Sequence, residues 1–155
     1  SLGVGMRWGA AALICAAMPA AAQEVLSCDD LALADAIVEP WEDNIRSFAN
    51  GDVRVALLDA IEPALGAFYL LVLSPPFDEV GARQCRVIGF DGGMGFTTLD
   101  FGSIAAEYVP SRGLEIQLPG RIAAPEYDFT NAVKLWVTVN QATGEIATFT
   151  ELGRE

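Results

Sequence analysis

Histidine is absent from all 155 residues. Its absence removes the Ser-His-Asp and Cys-His nucleophile arrangements, the commonest general base, and the usual zinc and copper sites. Lysine occurs once, at Lys134, inside a strand-like stretch with no nucleophile motif near it, so a Ser-Lys dyad has no place either. Basic residues as a whole are scarce: 9 Lys and Arg stand against 21 Asp and Glu, for a formal net charge of −12. Nucleic acid is thereby excluded as a partner, because binding it needs a basic face to displace counterions. No segment approaches the roughly 20 consecutive apolar residues of a membrane-spanning helix, so no transmembrane segment is expected.

Phosphate-binding loops are missing too, although one stretch imitates them. GFDGGMGF, residues 89–96, places four glycines around Asp91. A phosphate loop needs a following helix whose N-terminus faces the anion, and a nearby Lys-Ser/Thr pair or a spaced Gly-x-Gly-x-x-Gly. Here a strand-like segment follows, no lysine is close, and Asp91 would repel the anion, so the glycines serve a turn. The same stretch lacks the alternating carboxylates of a calcium loop. No cofactor and no metal is expected.

The chain opens with an address. From Met6 it reads a charged start at Arg7, a short apolar core, and Ala20-Ala21-Ala22 before Gln23. That pattern is a secretory signal peptide over residues 1–22, cleaved near Ala22, with residues 1–5 preceding an initiator at Met6. A lipid anchor on Cys15 fits less well, since Ile14 is bulkier than that site wants. A periplasmic or secreted location follows, and one domain over residues 23–155. All acidic residues lie beyond the leader, so cleavage leaves an acidic protein. Eight arginines against one lysine, with abundant alanine, point to a G+C-rich bacterial coding sequence. Two cysteines remain, Cys28 and Cys85, and an oxidising compartment predicts that they are bonded.

The order of apolar and polar residues predicts a mainly β fold. About eight antiparallel strands form a sandwich or a partly closed barrel, after one short N-terminal helix tied by the disulfide. That helix is read over 28–38, from the stripe Leu31, Ala34, Ile37 and Val38, ended by Pro40. Residues 41–50 carry a helical spacing as well as the Asn50-Gly51 hairpin signal, and the hairpin is preferred because Val53, Val55 and Leu57 alternate strictly. In 68–73 both alternating sets are apolar, which predicts a central strand covered on both sides and ended by Pro75 and Pro76. Two further hairpins follow. One sets Ile104, Ala106 and Tyr108 on the face of Leu114, Ile116 and Leu118. The other pairs Asn140 with Glu145, bringing Trp136 opposite Phe149 and Lys134 opposite Glu151, an aromatic pair and an ion pair.

Carboxylate chemistry is what remains for catalysis. Glu107 and Glu115 come close across the first of these hairpins and form the catalytic candidates, as an acid and base pair of a histidine-free hydrolase acting on glycans. The commoner meaning of such a pair is two solvated side chains. Asp91 and Asp100 repeat the idea more weakly. Binding candidates are Trp41 and Trp136, which could stack on a ligand; Pro75 and Pro76, in the stretch from Ser74 to Gln84; and Asp91. The composite reading is a non-enzymatic binding or structural domain with a basic protein as partner, the alternatives being the glycan hydrolase and a carrier of a small apolar ligand. Mass spectrometry of the protein from the exported fraction should find a chain beginning at Gln23 and lighter than its reduced form by the hydrogens lost in one disulfide. A mass that retains residues 1–22 would contradict export.

Overall fold

The computed structural model describes residues 24–124 and 129–153; the leader read at 1–22 lies outside them. The described chain forms ten strands in two antiparallel sheets that do not join into a barrel, so the fold is a sandwich. The first sheet runs β1 (Val25–Ser27), β5 (Arg83–Ile88), β4 (Phe68–Phe77), β3 (Val53–Asp59), β2 (Ile45–Phe48). The second runs β10 (Ile146–Leu152), β9 (Phe129–Val139), β8 (Gly113–Ala124), with β6 (Thr98–Leu99) and β7 (Ala105–Val109) both paired to β8. Strand content and the disulfide agree with expectation, while β1 and β6 are too short to have left a periodic signal.

Between the sheets lies one continuous core. Val53, Val55 and Leu57 of β3 and Leu70 and Val72 of β4 meet Leu114, Ile116 and Leu118 of β8 and Val133, Leu135, Val137 and Val139 of β9, all buried. The period of two in these strands turns every second side chain inward, and the observed registers, Val55↔Val72 and Ile116↔Val137, place like faces together.

The central strand β4 is apolar on both faces, and its outer face is covered as well. Leu58, Tyr69 and Val87 form a second cluster there, packed against Leu26, Cys28, Leu31, Ala36 and Ile37. The N-terminal segment therefore lies as a strap across the outside of the first sheet. It is fastened by β1 pairing with β5, by the Cys28–Cys85 disulfide, and by Ile37 and Val38, which bond to Leu58 and Leu57 of β3.

This corrects the helix expected over 28–38. Leu31 and Ala32 donate to the Cys28 carbonyl in a turn, Ala34–Ala36 make one 3-10 turn, and the segment then joins β3. A stripe this short cannot sustain a helix by itself, and flattening it onto the sheet buries more of it. The helical signal at 41–50 is real but brief: α1 (Trp41–Asn44) leads directly into β2, which pairs with β3 as the hairpin reading required. Pro75 and Pro76 do not end β4. The strand continues to Phe77 through a shift of register between Ser74 and Phe77, where the missing N–H groups are not needed.

Residues 28 and 85 are separated by 57 positions. Closing such a loop stabilises the fold by about 4 kcal/mol in the chain-entropy model, an upper figure. Replacing both cysteines by serine should lower the denaturation midpoint accordingly; an unchanged midpoint would mean that the strap holds without its covalent tie.

Candidate functional site

The outward residues of the second sheet gather three of the sequence candidates. The register of β7 and β8 brings Glu107 and Glu115 close, as the hairpin reading expected, and sets them directly opposite each other. Arg112, in the turn between them, donates from Nε and Nη2 to Glu115 Oε2 at 3.2 and 3.0 Å. The cation offsets the repulsion that two facing carboxylates would feel. Glu115 is thus already engaged within its own hairpin.

Trp136 of β9 lies beside this pair. Its ring stacks on Phe149 of β10, with centroids 5.7 Å apart and planes 6° from parallel. Lys134 and Glu151 are cross-strand partners as expected, but the indole takes both of them instead of leaving them to each other. The ammonium lies 4.8 Å from the Trp136 ring centroid, and the indole N–H donates to Glu151 Oε1 at 3.0 Å. An open groove of about 580 Å³ runs over this face, floored by Trp136, Thr138, Ala147 and Phe149 and walled by Arg112 and Glu115. Gln117, cross-strand from Trp136, has a buried Oε1 with no hydrogen-bond partner among the described residues.

The other candidates are scattered. Pro75 is buried and Pro76 exposed, and neighbouring Gln84 donates to the Gly144 carbonyl at 2.7 Å, joining the β4–β5 hairpin to the β9–β10 turn. Asp91 opens the glycine turn, where Gly92 and Gly93 have φ of 58° and 80°. The Gly93 amide donates to Glu24 Oε2 at 2.6 Å, and the Tyr69 hydroxyl donates to the Gly93 carbonyl at 2.7 Å. The turn therefore anchors the start of the strap, which answers why it is glycine-rich. Burial, aided by the Glu24 carboxylate, raises the Tyr69 phenol above its usual range although a backbone hydrogen bond opposes the shift. Asp100 accepts from Ser103 Oγ at 2.6 Å. Trp41 stands 47% exposed at the start of α1, flanked by Glu39, Glu42 and Asp43.

Sequence reasoning missed a second surface, on the outside of the strap. Every charged residue from Glu24 to Asp43 is acidic, and the apolar side chains among them divide between the sheet and the solvent. Leu33 is half exposed and Ile61, in the β3–β4 loop, is 74% exposed. Both line a groove of about 180 Å³ together with Leu31, Asp30, Asp35 and Asp59. The available signal is the apolar run Leu31–Ala34 bracketed by Asp30 and Asp35, a spacing that also suits a helix.

Among the described residues no group of three or more metal-ligating side chains gathers, and no helix is long and apolar enough to cross a membrane. No family model, curated protein or solved structure matches the chain.

A double-mutant cycle of Trp136→Ala and Phe149→Ala should return a coupling of about 0.5–1.5 kcal/mol, the range for packed aromatic pairs. Additive losses would show that the two rings are neighbours without interacting.

Proposed function

We propose that this is a small exported domain, periplasmic or secreted, that works by binding and has no catalytic centre, and that its partner is a basic protein. The observation that carries the reading is the placement of charge. Every charged residue from Glu24 to Asp43 is acidic, the part from Leu26 to Ile37 packs over the outside of the first sheet, and Asp59 at the end of β3 and Glu62 in the β3–β4 loop add to the same sign of charge. A concentrated field of one sign attracts and orients a partner of the other. The Cys28–Cys85 disulfide is compatible with an oxidising compartment. The apolar-carrier alternative loses support because the space between the sheets is taken up by the packed core.

A second reading is favoured by one specific arrangement, the shared face of Glu107, Glu115 and the Trp136 groove. On that reading the domain cleaves a glycan, with the carboxylates as acid and base and the indole as a stacking surface. Glu107→Gln should then abolish turnover while leaving the fold intact; undiminished turnover would remove the pair from consideration.

The basic-partner reading has its own test. Gentle purification from the exported fraction at low salt should return a complex whose second component is a basic protein, and the complex should dissociate as ionic strength rises toward 1 M, where the screening length falls to about 3 Å. A complex that survives high salt unchanged, or an acidic partner, would overturn it.

A further inference from the structure

We propose that the small groove between Leu33 and Ile61 is the anchor point for the partner, and that it takes one aliphatic side chain from a segment that carries lysine or arginine on either side. The inference rests on the basic-partner reading and adds the place and the chemistry of contact.

Ile61 is the first ground. It has φ of +70°, a backbone conformation that β-branched residues almost never adopt. The conformation is held locally, since the Ile61 amide donates to Asp59 Oδ1 at 2.8 Å and the Glu62 amide to the Ala60 carbonyl at 2.8 Å. The strained residue gains no burial in return, for its side chain is 74% exposed. Strain of this kind persists where the presented side chain has a use. Leu33 reaches the same groove from the strap and is also half exposed, so two aliphatic residues from distant parts of the chain face one small depression.

The rim supplies the second ground. Asp30, Asp35 and Asp59 surround the apolar floor. An anion is repelled from such a rim, and a volume of about 180 Å³ falls short of the roughly 300 Å³ at which small-molecule sites begin. An apolar side chain fits the floor, and cationic neighbours on the same segment meet the carboxylates. Apolar contact at the centre with charge at the edge is the ordinary anatomy of a protein interface.

The test uses the oxidised full-length mature domain and a synthetic peptide of alternating lysine and leucine, with affinity measured by titration calorimetry at two salt concentrations. Wild type should bind saturably, and more weakly at the higher salt. Ile61→Asn and Leu33→Asn leave the charge unchanged, and asparagine tolerates the left-handed backbone at 61. Each should weaken binding about tenfold. Asp35→Arg should weaken it further, whereas the same charge change at Glu79, in the exposed β4–β5 loop, should matter little. Circular dichroism and the melting midpoint establish that each variant is folded, and Ile61→Gly, which relieves the backbone while removing the side chain, replaces Ile61→Asn if that variant fails to fold. If wild type binds but the Ile61 and Leu33 variants bind equally well, the groove is not the anchor and only diffuse attraction remains. If wild type shows no salt-dependent binding even at low ionic strength, the basic-partner reading falls with it.

Discussion

The packing of the strap against the outer face of β4 is the contact on which the rest of the structure depends. A central strand written Phe-Tyr-Leu-Leu-Val-Leu has no polar face to give to water. One side is met by the second sheet, as in any sandwich, and the other is covered by the N-terminal segment. Leu26, Leu31, Ala36 and Ile37 close over Leu58, Tyr69 and Val87. The fastenings sit at both ends of this cover: Glu24 on the glycine turn, Cys28 on Cys85, and Ile37 and Val38 on β3.

The distribution of charge follows from that role. A segment lying flat on a sheet offers its apolar side chains downward and everything else upward, so the aspartates and glutamates of the strap form the outer surface of one layer. Among the described residues, none forms such a cover on the opposite layer. Among its outward residues, Glu115 is paired with Arg112 of the adjoining turn, the Trp136 indole donates to Glu151 and carries Lys134 over its ring, and Trp136 stacks on Phe149. The two faces thus differ in kind. One is an acidic surface with unpaired aliphatic side chains, and the other a mixed surface whose side chains are occupied with their neighbours. This asymmetry is what favours the strap as the binding face in the proposed function.

Much of the fold could be read from residue order because β8 and β9 alternate apolar and polar residues, β3 begins with the same alternation, and β4 is apolar on both faces. Charge and aromatic matches point to the observed β9–β10 register, whereas for β7 and β8 residue order gives the shared face and the structure gives the exact pairing. The strap was misread because its apolar spacing suits a helix and a flat cover equally well, and the choice between them is made by a sheet that lies elsewhere in the sequence. The expected Lys134–Glu151 pair went astray for a related reason: register specifies which residues face each other, but an indole between them offers each charge an alternative. Of the site candidates, Glu107, Glu115 and Trp136 could be brought together on paper through their registers. The Leu33–Ile61 groove could not, since its halves are joined only by tertiary packing and its strained backbone leaves no mark in composition.

Amide hydrogen exchange on the oxidised and the reduced protein tests most directly the claim that the strap is a separately fastened cover on an independently packed sandwich. Reduction should release protection at Leu26, Ile37 and Val38 and in the neighbouring amides of β5, while Ile116 and Leu135 in the β8–β9 ladder keep theirs. Equal loss in the strap and in β8–β9, or no loss in the strap, would contradict that claim.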